Sequence, residues 1–251
     1  MHMNLLAIIG SPKGKNSNSE HLLQAFLRGA EEAGAQTETV YLKDKKINHC
    51  NGCFSCWAQT PGKCVHEDDM SELIQKLRYA DILVMATPLY VYTVPGLMKD
   101  FMDRTLPISL PYVYKYGDRY VHPGRYEDQH RTKVILISNC GLPTRQYFSG
   151  LQETFRLWCS GPDRVMAGSI LCSAGPLLGI EQARPYIQWY LDACEKAGKE
   201  IVSSGNMTDE TQAILQRELL DDTEAYVNNG NAFYEQLLHE KMPDMSKWTD
   251  K

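Results

Sequence analysis

Leu5-Leu6-Ala7-Ile8-Ile9-Gly10-Ser11-Pro12-Lys13-Gly14-Lys15-Asn16-Ser17-Asn18-Ser19-Glu20 decides the fold. The five apolar residues read as a short strand covered on both faces. A polar loop rich in Gly, Ser, Asn and Lys follows. Leu22, Leu23, Phe26, Leu27 and Ala30 then recur at helical spacing, and Gly34 supplies the C-terminal stop. The loop lacks G-x-G-x-x-G. It is not a Walker loop either, since three residues rather than four separate Gly10 from Gly14, and Asn16 follows Lys15 where Ser or Thr is needed. It still suits a phosphate: the backbone N–H groups and dipole of a helix start favour an anion, Ser11, Ser17, Asn18 and Ser19 add neutral donors, and Lys13 or Lys15 adds charge. The plainer reading is a polar turn closed by the capping box Ser17-x-x-Glu20, which would leave Ser11, Asn18 and Ser19 available.

Outward from this stretch the pattern repeats. Strands are expected at Thr37–Leu42, Asp81–Ala86, Lys133–Asn139 and Val165–Cys172, the last weakened by Gly168. Helices are expected after Asp68 as cap, over Gly96–Arg104, over Ser149–Ser160, and around Ile187, Leu191, Cys194, Ile201 and Val202. Residues 106–131, rich in Pro, Gly and Tyr, read as an irregular insertion, and loops this long are often functional. From Thr208 to Glu240 the chain reads as polar helix interrupted near Asn229-Gly230-Asn231. Five strands alternating with five helices imply an α/β fold, a doubly wound five-stranded parallel sheet with helices on both faces and a C-terminal helical extension. The domain division is 1–205 for the sheet unit and 206–251 for the acidic extension. Such sheets bind ligands beyond the carboxyl ends of strands beside a topological switch point. That singles out the loops after the first, third and fourth strands.

The 251 residues are 43% hydrophobic and 23% charged, ordinary for a globular chain. Net charge is −5; residues 206–251 hold ten acids and four bases, so the rest is near neutral. No basic stripe points to nucleic acid. The apolar runs are too short to span a membrane. Met1-His2-Met3-Asn4 has neither a basic n-region nor a cleavage site, so a cytoplasmic location and reduced cysteines are expected. H-E-x-x-H and G-x-S-x-G are absent, which removes support for metalloprotease and hydrolase chemistry.

Thr87-Pro88-Leu89-Tyr90-Val91-Tyr92-Thr93-Val94-Pro95-Gly96 follows the third strand. Two prolines stiffen it, and its tyrosines and apolar neighbours offer a flat wall to an aromatic ring; a tyrosine-rich surface loop is the alternative. Asn139-Cys140-Gly141 follows the fourth strand, with Gly141 permitting close backbone approach, or merely a turn with a buried thiol. Taken together, the Gly-Ser-Pro-Lys…Asn-Ser loop and the Thr-Pro-Leu-Tyr loop running into Gly-Leu-Met-Lys-Asp-Phe-Met-Asp-Arg (residues 96–104) resemble the flavodoxin-like NAD(P)H-dependent FMN reductases, most of all the branch that includes the iron–sulfur flavoproteins. The resemblance covers residues 3 to about 175. It implies a flavodoxin-like three-layer fold, FMN as cofactor and NAD(P)H as cosubstrate. It implies FMN phosphate on Ser11, Lys13, Ser17, Asn18 and Ser19, the isoalloxazine against Pro88, Leu89, Tyr90 and Val91, and a third side made by Asn139, Cys140 and Gly141. Lys99 and Arg104 belong to the motif, but a surface lysine and a structural ion pair describe them better.

Cys50-x2-Cys53-x2-Cys56-x7-Cys64 packs four cysteines into fifteen residues, and Gly52 and Gly62 let the loop wrap tightly. Three readings stay open. Four thiolates from one short segment suit a [4Fe–4S] cluster, and the family branch carries a compact cluster motif at this place. Zinc would accept the same thiolates, with His49 and His66 flanking them, but x2 followed by x2 is cramped for a zinc knuckle. A metal-free loop with buried or redox-labile thiols is the third.

The expected function is an FMN-dependent NAD(P)H oxidoreductase passing hydride through flavin N5 to a small-molecule electron acceptor such as a quinone, a nitro or azo compound, or free flavin. The chemistry rests on the flavin, with no catalytic side chain. The alternative is an electron carrier relaying electrons between FMN, a [4Fe–4S] cluster and a ferredoxin-like protein. The amphipathic tail residues Ile214, Leu215, Leu219, Tyr226, Phe233, Leu237 and Leu238 must pack on the chain's own core or on another subunit of a homodimer or homotetramer. The tyrosines of 106–131 would cover the flavin face or join that interface.

Overall fold

Alternation along the first strand sets up two cores. Leu5, Ala7 and Ile9 point to one face of the sheet and Leu6 and Ile8 to the other, and all five are buried. The computed structural model describes residues 3–128 and 130–245. Its strands are β1 (Met3–Ile9), β2 (Ala35–Tyr41), β3 (Ile82–Pro88), β4 (Tyr114–Tyr116), β5 (Arg119–Val121), β6 (Thr132–Asn139) and β7 (Arg164–Cys172). β2-β1-β3-β6-β7 form one parallel sheet, and β4-β5 form a separate antiparallel ribbon. The helices are α1 (Asn18–Glu32), α2 (Ser55–Ala58), α3 (Met70–Arg78), α4 (Gly96–Asp103), α5 (Ser149–Trp158), α6 (Arg184–Ser204), α7 (Asp209–Leu215) and α8 (Thr223–Leu238).

On one face α1 and α6 bury Leu22, Phe26, Ile187, Tyr190 and Leu191 against the sheet. On the other, α3, α4 and α5 bury Met70, Leu73, Met98, Phe101, Leu151 and Phe155. α1 and α6 touch backbone to backbone. A Cβ on Gly29 would fall 1.8 Å from the Glu195 carbonyl oxygen, and one on Gly198 would fall 1.9 Å from that of Phe26. The order, with β1 beside β3, puts the direction reversal at those two strands and opens their carboxyl ends to a ligand. The expected five-stranded doubly wound sheet is therefore present. Gly34 closes α1 in the left-handed region, as expected.

Three details differ from the sequence reading. The insertion at 106–131 is not wholly irregular. Gly117, at φ 62°, turns the β4-β5 ribbon, and Leu110 N–H to Pro123 O (2.9 Å) and Arg125 N–H to Ile108 O (2.9 Å) extend the antiparallel pairing below it. Next, Asn229-Gly230-Asn231 does not interrupt the tail helix. α8 runs through it, and the break lies at 216–222, where the Asp222 carboxylate caps α8 by accepting from Ala225 N–H (2.9 Å). An exposed helical glycine costs only about 1 kcal/mol, too little to break a capped helix. Lastly, the β6–β7 register slips between Val134 and Ile135, leaving Ala167 unpaired beside Gly168. The Met207 side chain seats on Gly168, where a Cβ would lie 2.5 Å from its methyl carbon. Met207, Leu215 and Leu219 thus join the α1/α6 core, whereas α8 buries no residue.

Asp68 serves the start of α3 only in part. Its Oδ1 accepts from Met70 N–H (3.2 Å), but both oxygens also take the Arg104 guanidinium (2.8 and 2.9 Å), and both side chains are buried. Arg104 further donates to Asn48 O (2.7 Å), so this pair pins the entry of the cysteine segment to the end of α4. Lys99 makes an exposed pair with Asp103. Burial alone would raise the Asp68 carboxyl; the Arg104 hydrogen bonds and the Asn48 and Met70 N–H groups outweigh it and pull its pKa down to about 2.

Because that pKa lies below the unfolded carboxylate value, the pair's contribution is present above about pH 4 and lost as pH falls towards 2. Asp68→Asn, which strands a buried Arg104, should cost about 3–5 kcal/mol at pH 7 and flatten the fall in stability between pH 4 and 2; denaturant melts across that range read both. Gly29→Ala should destabilise by about 3 kcal/mol or abolish folding, while Gly230→Ala, on the exposed face of α8, should stabilise that helix by about 0.5–1 kcal/mol.

Candidate functional site

The carboxyl ends of β1, β3, β6 and β7 meet around one cleft. Its walls are Ser11, Lys13, Ser17, Asn18, Ser19, Pro88, Leu89, Tyr90, Asn139, Cys140, Gly141 and Pro176. Eleven of the twelve residues expected from the sequence are among them. The exception is Val91, which is 89% exposed. It turns away because Tyr90 and Thr93 exchange backbone hydrogen bonds (2.9 and 3.1 Å) around a two-residue turn, with Val91 and Tyr92 both in the left-handed region (φ 47° and 65°). That conformation is costly for a β-branched residue, and the alternating pattern of the loop gives no sign of it.

The floor is built from α1. Ser17 is its N-cap and accepts from Glu20 N–H (3.2 Å), so the cap and the cleft share one residue; the reciprocal half of the expected capping box is not made, because Ser17 N–H donates to the Gly14 carbonyl (3.0 Å) and the Glu20 carboxylate accepts from Tyr41 (2.9 Å) and Gln24 (3.0 Å). Ser11, Ser17 and Ser19 are buried. The Ser11 hydroxyl accepts from Lys13 N–H (3.3 Å), and the Asn139 amide donates to the Ser19 hydroxyl (2.8 Å), which ties the β6 end to the helix start. Gly14, at φ 54°, lets the loop double back before the helix, and a Cβ there would meet the Lys43 side chain at 2.6 Å. The result is a concave set of neutral hydroxyl and first-turn N–H donors with Lys13 at the mouth. That donor set suits a phosphate monoester.

The β6 and β7 loops are laced together. Cys140 N–H donates to Cys172 O (3.1 Å), Gly175 N–H to Cys140 O (2.7 Å) and Ala174 N–H to Leu142 O (2.8 Å). Gly175 is required here, since a Cβ would lie 2.7 Å from the Asn139 side-chain oxygen. This lacing carries Pro176 into the cleft, a residue missed by considering only the loops after the first, third and fourth strands. Gly175-Pro176 directly after an apolar run was the available signal. Burial pushes the Cys140 thiol up, so it faces the cleft protonated.

The cysteine segment lies apart, between β2 and α3. Cys50 and Cys53 are exposed, Cys64 is half-buried and Cys56 is buried; all are free thiols. Gly52 and Gly62 adopt the left-handed region, as the tight wrap requires, and Phe54 does so as well. Burial pushes the Cys56 thiol up, and Cys64, Cys53 and Cys50 act in the same direction. Hydrogen bonding to Ser55 lowers the Cys53 thiol. Among the described residues, however, no three His, Cys, Asp or Glu side chains stand as a metal-holding group. The thiol set has the chemistry of a cluster ligand set without its geometry. The insertion docks here: Arg125 donates to Cys56 O (3.3 Å), Trp57 Nε1–H donates to Leu106 O (3.3 Å), and the Trp57 and His122 rings lie 4.9 Å apart.

Comparison with known proteins places the chain in a family. The sequence model of the NADPH-dependent FMN reductase family matches residues 3–141. An iron–sulfur flavoprotein of Archaeoglobus fulgidus is 39% identical over 141 residues, 56% of this chain and 57% of that protein. One of Methanosarcina thermophila is 36% identical over 104 residues, 41% and 53% of the two chains. The chain spans only a little more than half the length of these curated relatives. Among solved structures, an FMN-dependent NADH-azoreductase of Bacillus anthracis in complex with FMN superposes with TM-score 0.58 at 18% identity, over 80% of this chain and 100% of that one. An NAD(P)H:quinone oxidoreductase of Methanothermobacter marburgensis gives 0.57 at 20% identity, over 80% and 98%. At those identities the likeness is one of fold, flavodoxin-like in both cases. Since the family match takes in more than half of the chain and every cleft residue except Pro176, this chain belongs to the NADPH-dependent FMN reductase family.

Proposed function

We propose that the chain is an FMN-dependent NAD(P)H oxidoreductase whose cofactor lies in this cleft. The observation that carries the reading is the convergence of four separate strand ends on a single donor-lined cleft at the β1/β3 reversal. In it, Ser11, Ser17, Asn18, Ser19 and the first-turn N–H groups of α1 would hold the phosphate by neutral donors, with Lys13 adding charge at the mouth. Pro88, Leu89 and Tyr90 would form a wall against one face of the ring. Asn139, Cys140, Gly141 and Pro176 close the third side. Asn139 is oriented by its hydrogen bond to Ser19, and the neutral Cys140 thiol places no negative charge beside the ring. FMN, when bound, supplies hydride acceptance from NAD(P)H and delivery to a second molecule. The protein's own residues bind and orient, and none is required as acid, base or nucleophile. The acceptor would be a small molecule of the quinone, azo, nitro or flavin kind. In this reading residues 1–205 are the FMN-binding unit and 206–251 an extension. No helix of the described residues is long and apolar enough to cross a membrane.

A second reading, an electron carrier with a [4Fe–4S] cluster on Cys50, Cys53, Cys56 and Cys64 and a ferredoxin-like partner, is favoured by the four thiols of one short segment and by the names of the relatives. The thiols would first have to be drawn together to hold a cluster. The exposed residues Phe233, Tyr234, Leu237 and Leu238 of α8 support a homo-oligomeric assembly.

Purified protein should take up FMN, and its yellow colour should bleach anaerobically on adding NADPH or NADH and return with a quinone. Ser19→Ala should weaken FMN about tenfold, as expected for a lost buried hydrogen-bond partner. Absence of FMN uptake by calorimetry would end the reading. Iron and sulfide analysis of anaerobically prepared protein separates the second reading, which requires about four of each per chain. Leu237→Glu with Leu238→Glu should lower the mass in size-exclusion chromatography with light scattering. An unchanged monomer in both proteins excludes the assembly.

A further inference from the structure

The match to the family's sequence model ends at Gly141, yet the wall of the cleft around that residue is held by residues far beyond it. After α7 the chain crosses the ends of β6 and β7. The Glu218 carboxylate accepts from the Arg145 backbone N–H (2.9 Å) with one oxygen and from the Ser173 hydroxyl (2.6 Å) with the other, so one side chain grips both laced loops. The Arg145 guanidinium donates to the Leu215 carbonyl (2.6 Å) and to that of Leu171, which joins the end of α7 to the end of β7. One turn into α8, the half-buried Tyr226 hydroxyl donates to the Gly141 carbonyl (2.8 Å), on the cleft wall itself. Leu215 and Leu219 anchor the segment in the core on either side of Glu218. Beyond Tyr226, α8 buries nothing, so the helix is held at its cleft-facing end.

We propose that residues 215–226 form a buckle in which Glu218 and Tyr226 act as positioning residues that fix the Asn139–Gly141 and Ser173–Pro176 wall and thereby set how tightly, and in what environment, the flavin is held. This rests on the FMN reading of the cleft. Neither side chain lines the cleft; each acts through the backbone of a loop that does. Gly141 has no side chain of its own to hold it, and the Tyr226 hydroxyl ties its carbonyl directly to α8.

The test uses the full chain with Tyr226→Phe, Glu218→Ala and Glu218→Gln, and with Asn228→Ser as a control on the same helix. FMN dissociation constants, the visible spectrum of the bound flavin and amide hydrogen exchange are measured. Tyr226→Phe should weaken FMN about three- to tenfold and alter the flavin absorption envelope, with faster exchange in 139–147; Asn228→Ser, at an exposed position, should do none of these. Glu218→Ala should weaken FMN more than Tyr226→Phe, since it releases two donors, and Glu218→Gln, which keeps a side-chain oxygen acceptor, should recover part of the loss. Wild-type affinity and spectrum in Tyr226→Phe and Glu218→Ala overturn the proposal. If the wild-type chain itself binds no FMN, the FMN reading fails on its own account; exchange in 139–147 then decides for the buckle, and unchanged protection in Tyr226→Phe overturns it.

Discussion

Three strands, β1, β3 and β6, are buried on both faces, and this confines the chain's polar chemistry to their ends. Within these three strands the backbone groups are taken up by parallel ladders on both sides, and side chains short of the carboxyl ends are enclosed by the helices. At the carboxyl ends the ladder stops, the loops must leave the sheet, and their N–H and hydroxyl groups face one another across the β1/β3 reversal. The cleft is thus a consequence of how the sheet is wound. What the sequence adds is the chemistry of its lining: short hydroxyls under a helix start, an apolar wall opposite, and a glycine where the wall must be thin.

The parts of this arrangement that could be read from the sequence depend on local pattern. Leu5–Ile9 and Ile82–Ala86 are continuous apolar runs because both faces are covered, and Ser17-x-x-Glu20 marks a helix start because the cap is made within four residues. The parts that could not be read depend on contacts distant in sequence or on unusual backbone. Nothing near Asp68 announces that Arg104, thirty-six positions on, will claim both its oxygens. Nothing in Tyr90-Val91-Tyr92-Thr93 announces a turn that normally asks for Asn-Gly. Pro176 enters the cleft only because three backbone hydrogen bonds fold the β7 loop over the β6 loop. The division of the tail was misplaced for a related reason: Asn-Gly-Asn looks like a break until the cap at Asp222 and the anchors at Leu215 and Leu219 are seen.

The cysteine segment obeys a different logic. It has little regular structure of its own, and its conformation is imposed from outside: Arg104 and Asp68 at its two ends, Arg125 and Trp57 joining it to the insertion, and three left-handed residues within it. Its thiols therefore occupy unlike surroundings, two open to water and one enclosed. The tyrosine-rich insertion packs on this segment through His122 and Arg125, which gives those twenty-six residues a neighbour more definite than the cleft.

The glycine contact between α1 and α6 has a consequence for how this scaffold can vary. With carbonyl oxygens seated where Cβ atoms would stand, the two helices have no cushion of side chains between them, so neither can slide or tilt to make room for a larger guest. The helix that presents the phosphate-type donors is effectively welded to the helix that leads into the tail. Descendants of this chain can broaden their choice of guest by lengthening or trimming loops at the rim, while the floor beneath them stays at a fixed height.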